Sequence, residues 1–221
     1  MGLMLELGTR HDGGLAGGGL ADDFPVVRRR RMLGLTGGVT MATVGREASH
    51  LTRSGIIRGD IRRGFGSASG VARGVRLDIR LRLTSASSGR PLPGYAVYLW
   101  HADRDGNYSL YTPGLESENY LRGVQLADSA GWTRFTSVFP GAHDGRWPHL
   151  HFEVYPSLAA APGTRLHAAE ITLPADACAA VYATPAYESS RGLGHPGAPV
   201  EMASVTGDLR RGLVATRTIG I

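Results

Sequence analysis

Lysine is missing altogether from this 221-residue chain, so all 24 basic residues are arginine. One cysteine, Cys178, cannot pair within the chain, which excludes a disulfide scaffold. No apolar run approaches the roughly 18 residues a transmembrane helix needs. Charged residues make up 19% of the chain and 42% are hydrophobic, the composition of an ordinary folded domain, and 221 residues can bury a core without a structural metal. The net charge of +5 is uneven, because thirteen arginines against three acids fall between Arg28 and Arg82. No zinc-finger spacing, aromatic RNA-binding signature or helical recognition element accompanies them, so nucleic acid is not the expected partner. Solvated strand faces account for most of these arginines, and the absent lysine reads as a codon bias toward GC-rich triplets.

Residues 1–50 read as a flexible Gly- and Arg-rich arm, with a glycine patch at 13–19. Arg28 to Arg31, followed by Met32-Leu33-Gly34-Leu35, has the basic and apolar regions of a twin-arginine export leader, although no clear cleavage site follows. The expected location is the cytoplasm, with twin-arginine export as the alternative. Residues 51–190 form the expected catalytic domain and 191–221 a C-terminal extension.

From residue 55 the pattern is β. Val75, Leu77, Ile79, Leu81 and Leu83 alternate with Arg76, Asp78, Arg80 and Arg82, the period of a strand with one wet face. Further strands are expected over 95–100, 132–139, 149–155 and 170–173, separated by turn pairs such as Asp105-Gly106 and Pro140-Gly141. Short strands at this spacing predict an all-β fold, a sandwich of mostly antiparallel strands with long loops, and one short helix over 175–182.

Chemistry concentrates in Pro148-His149-Leu150-His151-Phe152-Glu153-Val154. On a strand, His149 and His151 share a face while Leu150, Phe152 and Val154 enter the core, so two imidazoles stand side by side as half of a metal site. Taken alone, the pair fits equally two solvent-facing or hydrogen-bonded histidines.

Five ordered segments carry more. They are 89–103 (ending Tyr98-Leu99-Trp100-His101-Ala102-Asp103), Asp105-Gly106-Asn107-Tyr108-Ser109, Asn119-Tyr120-Leu121-Arg122-Gly123, Phe139-Pro140-Gly141, and Gly145-Arg146-Trp147-Pro148-His149-Leu150-His151-Phe152. Together they resemble the intradiol ring-cleavage dioxygenases, over about residues 54–182. The resemblance implies a β-sandwich homodimer that holds a non-haem iron with two tyrosines and two histidines, chelates a catechol, and inserts both atoms of O2 between the hydroxyl-bearing carbons. It assigns Tyr108, His149 and His151 as metal ligands and Arg146 as the arginine facing the substrate ring. Trp147 and Tyr111 are candidates for the substrate wall, although aromatic residues of a sandwich more often serve packing.

Two positions depart from the family. His143 stands where its second tyrosine belongs and is taken as both ligand and proton acceptor. With one phenolate instead of two, the site favours Fe(II) more than the family does, and another divalent transition metal fits as well. Glu170 stands where the family has a glutamine, open to roles as base, partner of Arg146 or fourth ligand, or as a surface residue paired with an arginine. The expected function is therefore a dioxygenase acting on a catechol-like or polyphenolic substrate with O2, of the kind found in secondary metabolism. The alternatives are a different oxidation or non-oxidative reaction on the same fold, and a non-catalytic binding protein. His101 is expected to be structural, His11, His50, His167 and His195 exposed, and Asp103 a turn residue.

Overall fold

The computed structural model describes residues 51, 53–161, 163–191 and 201–221. The expected arm with its twin-arginine segment, together with His11, His50 and His195, lies outside them.

Eight strands form two four-stranded sheets: β1 (Arg76–Thr84), β2 (Ala96–His101), β3 (Arg122–Leu126), β4 (Trp132–Val138), β5 (His149–Tyr155), β6 (His167–Thr172), β7 (Ser204–Asp208) and β8 (Gly212–Gly220). The sheet orders are β4-β1-β8-β7 and β3-β2-β5-β6. Every pairing is antiparallel except β1 with β8. This is the all-β sandwich expected from the alternating pattern. In β1 the apolar set Leu77, Ile79, Leu81 and Leu83 is buried. It meets Phe135 of β4, Ala215 of β8 and, from the other sheet, Leu99, Leu150, Phe152, Val154 and Ile171 in one core. Each such side chain contributes about 1.5–3 kcal/mol by leaving water.

Helix α1 (Ala175–Tyr182) coincides with the expected helix and buries Cys178, Val181 and Tyr182 against that core. Residues 204–220, which the sequence reading placed in a C-terminal extension, lie inside the sandwich. The hairpin β7–β8 completes the first sheet, with β8 hydrogen-bonded alongside β1 from Leu213 to Gly220.

The second sheet is buried on both sides, since β2 and β5 are buried at every position. One face joins the core between the sheets. The outer face carries Ala96, Tyr98, Trp100 and Tyr155, covered by Leu51, Ile56 and Ala161 in a separate apolar cluster that includes Tyr108. Residues 56–61 strap this arrangement together, with Arg58 N–H donating to Val124 O and Ile61 N–H to Thr136 O, one anchor in each sheet. A polar group on that outer face is therefore shielded from water, which is the setting the candidate site occupies.

Candidate metal centre

β5 presents His149 and His151 on the outer face, 4% and 0% exposed, as the two-residue period requires. The third donor comes from the β2–β3 connection. Asp103 folds its start: Oδ1 accepts the N–H of Asp105 at 3.0 Å and of Asn107 at 2.9 Å, and Oδ2 accepts the Tyr120 hydroxyl at 3.0 Å. Burial raises the Asp103 carboxyl above its ordinary range, and burial together with Asp103 raises the Tyr120 phenol. Gly106 turns the chain at φ +84°, where a Cβ would run into the Ala142 carbonyl. Tyr108 N–H then donates to Thr112 Oγ1 at 2.9 Å, and the Tyr108 ring drops into the sheet's outer face, 2% exposed.

Three donor atoms converge there. Tyr108 Oη lies 3.1 Å from His151 Nε2 and 3.4 Å from His149 Nε2, and the two Nε2 atoms are 3.1 Å apart. His149 Nδ1 faces the Trp147 carbonyl at 2.7 Å and must donate to it, so Nε2 carries a bare lone pair. Ligands bound at about 2.1 Å and separated by 90–109° around one ion stand about 3.0–3.4 Å from each other. The observed spacings have those values, so the residues fit a metal ion.

Glu170 belongs to the same neighbourhood, since ligand atoms of His149, His151 and Glu170 lie within 4.8 Å of one another and can jointly hold a metal ion. Two donor sets thus compete, Tyr108-His149-His151 and His149-His151-Glu170. Glu170 Oε1 stands 3.6 Å from His151 Nδ1, the nitrogen that does not face Tyr108. That position suits a carboxylate orienting a ligated imidazole, while the Nε2 side belongs to Tyr108. The other oxygen, Oε2, accepts from Arg146 Nη2 at 2.7 Å. Antiparallel pairing of His151 with Glu170 across β5 and β6 creates this contact.

His143 opens a tight turn. Asp144 and Gly145 both take positive φ, +47° and +72°, and Arg146 N–H returns to His143 O at 2.8 Å. His143 Nδ1 donates to Gly106 O at 2.7 Å, and its ring meets Tyr108 edge-on with centroids 4.9 Å apart. The structure therefore brings His143 against the Tyr108 ring, outside the His149-His151-Glu170 cluster. Trp147 donates from Nε1 to Leu173 O at 2.8 Å and, with Cys178, Tyr182 and Arg191, lines an open cavity of about 330 Å³. Tyr111 is 39% exposed and covers the Arg122 guanidinium, 4.7 Å from its ring centroid.

His101 is structural, with Nδ1 on Ala102 O and Nε2 on Ser137 Oγ. His167, expected in solvent, is half-buried with its ring against Phe152, because β6 begins at His167, three residues before the expected start.

Two residues escaped the sequence reading. Trp100 stacks on His151 with centroids 4.9 Å apart and planes 11° from parallel, and Tyr98 in turn stacks on Trp100. Arg122 is 3% exposed, pairs with no acid among the described residues, and donates to Ser109 O, Ser109 Oγ and the Tyr98 hydroxyl, pinning the chain immediately after Tyr108. The β2–β5 register, Trp100 opposite His151, was the signal for the first, and register is not legible in one strand alone.

A family model described as Dioxygenase matches residues 65–169. The chain is 29% identical over 97 residues to a chlorocatechol 1,2-dioxygenase of Rhodococcus opacus, covering 34% of this chain and 38% of that protein. It is 29% identical over 108 residues to a catechol 1,2-dioxygenase of Pseudomonas sp. (strain EST1001), covering 41% and 34%. The matches thus span little more than a third of these relatives' own length. Among solved structures, the intradiol ring-cleavage dioxygenase from Tetranychus urticae shares the fold, with a TM-score of 0.62 and 21% identity over 76% of this chain and 88% of that one.

A sandwich whose sheet carries His149, His151 and Glu170, with Tyr108 folded against them, presents a cluster that can hold a metal ion. The matches narrow the class: over residues 65–169 the chain is similar to dioxygenases, and its fold is that of an intradiol ring-cleavage dioxygenase. Among the described residues, no helix is long and apolar enough to cross a membrane.

Proposed function

We propose that this chain is a non-haem iron dioxygenase that opens a catechol-like ring between its two hydroxyl-bearing carbons. The convergence of Tyr108 Oη with the Nε2 atoms of His149 and His151 carries the reading. A phenolate with two imidazoles is a hard and intermediate donor set that suits iron. Iron bound there supplies Lewis-acid and one-electron chemistry toward the diol and O2. The overall reaction balances without a further reductant, since a diol plus O2 gives an unsaturated dicarboxylic acid holding both oxygen atoms.

The chain's own residues have separable roles. Tyr108 contributes negative charge as its phenolate, and Trp100 fixes the plane of His151 by stacking. His143 keeps its Nε2 lone pair exposed because Nδ1 donates to Gly106 O, so Nε2 is the acceptor for a diol proton. Arg146, held by Glu170, faces the bound ring. A homodimer of cytoplasmic protein completes the proposal.

A second reading, a different oxidation with another divalent metal, is favoured by one observation: His143 brings no negative charge where a tyrosine would. Incubation of the iron-loaded protein with catechol under 18O2 separates the two. Ring cleavage predicts a diacid carrying both labels. Unlabelled product, or a diol recovered intact, contradicts it.

A further inference from the structure

The Arg146–Glu170 pair has a consequence for which substrates the site accepts. Glu170 Oε2 takes a short hydrogen bond from Arg146 Nη2, 2.7 Å, and both side chains are largely shielded, 24% and 19% exposed. The second oxygen, Oε1, is buried without a hydrogen-bond partner and lies 3.6 Å from His151 Nδ1. The negative charge of Glu170 is therefore held against the histidine ligands instead of being spread into solvent. Asp144, in the turn that leads into Arg146, is 79% exposed, so its charge is solvated and Glu170 is the shielded carboxylate of the pair. The Arg146 cation beside the donor trio is thus engaged before any ligand arrives.

From this we propose that Glu170 makes the site selective for uncharged aromatic diols over diols that bear a carboxylate. The inference rests on the reading of the site as a diol-binding metal centre. A ring carboxylate entering beside Arg146 has two options. It displaces Glu170 and leaves that carboxylate buried without its partner, or it lies unpaired next to a like charge. Both penalise the charged substrate and leave a neutral ring untouched, which is specificity by repulsion. Glutamine at this position keeps a hydrogen-bond acceptor for Arg146 but surrenders the charge, freeing the guanidinium for a substrate carboxylate.

The test is anaerobic titration of the iron-loaded full-length protein near neutral pH, with catechol and with 3,4-dihydroxybenzoate, followed by the change in visible absorption. Wild type is expected to bind catechol at least tenfold more tightly than the benzoate. Glu170→Gln is expected to shrink that ratio at least tenfold, the benzoate gaining relative to catechol. Equal or tighter binding of the benzoate by wild type overturns the inference without recourse to any variant, as does a ratio that Glu170→Gln leaves unchanged. Binding of neither diol by wild type overturns the diol-binding reading itself, and this inference with it.

Discussion

Acid is expected to loosen the root of the Tyr108 loop before most carboxylates titrate. His101 ends β2 where that loop departs, with Nδ1 donating to Ala102 O and Nε2 accepting from Ser137 Oγ of β4, each at 2.7 Å, so one ring ties the two sheets together. Burial holds its pKa down at about 4, with the hydrogen bond to Ala102 opposing the shift. In the unfolded chain the same ring titrates near 6.5. Above that pH the ring is neutral in both states and its contribution is whole. As pH falls from 6.5 toward 4 the unfolded chain takes up a proton that the folded one refuses, and stability declines. The gap between the two values corresponds to about 3 kcal/mol in full, of which about 2 kcal/mol is lost by pH 5. Urea unfolding at about pH 7.5 and pH 5, for wild type and His101→Gln, measures it. Comparison with the variant isolates the contribution of His101 from that of groups common to both proteins. Wild type is expected to lose about 2 kcal/mol more than the variant over this interval. Parallel losses would refute the assignment of His101 as a buried neutral imidazole.

Cys178 is 1% exposed and burial pushes its thiol up to about 12, so a disulfide reagent at pH 8 is expected to leave it unmodified in the native protein and to react fully in guanidinium. Reaction in the native state would show that α1 opens. Gly106→Ala places a Cβ against the Ala142 carbonyl at a φ of +84°, and is expected to cost about 1–3 kcal/mol or more in thermal unfolding. An unchanged melting temperature would contradict the described loop. Arg122→Met leaves Ser109 O and the Tyr98 hydroxyl without their donor, an expected loss of about 2–4 kcal/mol, partly offset by relief of a buried charge. Metal retention under a chelator is expected to fall with it, because Ser109 follows Tyr108. Retention equal to wild type would separate Arg122 from the site.

The parts of the fold that were legible in the sequence are those whose pattern is local. The Leu and Ile alternation of β1, the bounds of β5 and the helix after Pro174 all follow from residues within one element. β7 and β8 were not legible, because Ser, Thr, Gly and Arg dominate them and β8 gains its place by parallel pairing with β1, more than a hundred residues earlier. β3 was missed for a related reason: Arg122 opens it as a buried cation, against the usual reading of arginine as a surface residue. At the site, the adjacency of His149 and His151 was visible as a strand period. The convergence of Tyr108 on them was anticipated only from the family resemblance, since it depends on how the loop after Asp103 folds. The pairing of Glu170 with Arg146 was open among several alternatives, and the β5–β6 register decided it.

Metal content of wild type, Tyr108→Phe, His149→Ala and His151→Ala, purified side by side, tests the central claim most directly. If the three converging atoms are the ligands, wild type holds about one transition-metal ion per chain, either histidine variant loses most of it, and Tyr108→Phe abolishes the phenolate-to-iron absorption band. The same full complement of metal in all four proteins, or a band that survives in Tyr108→Phe, would contradict the account.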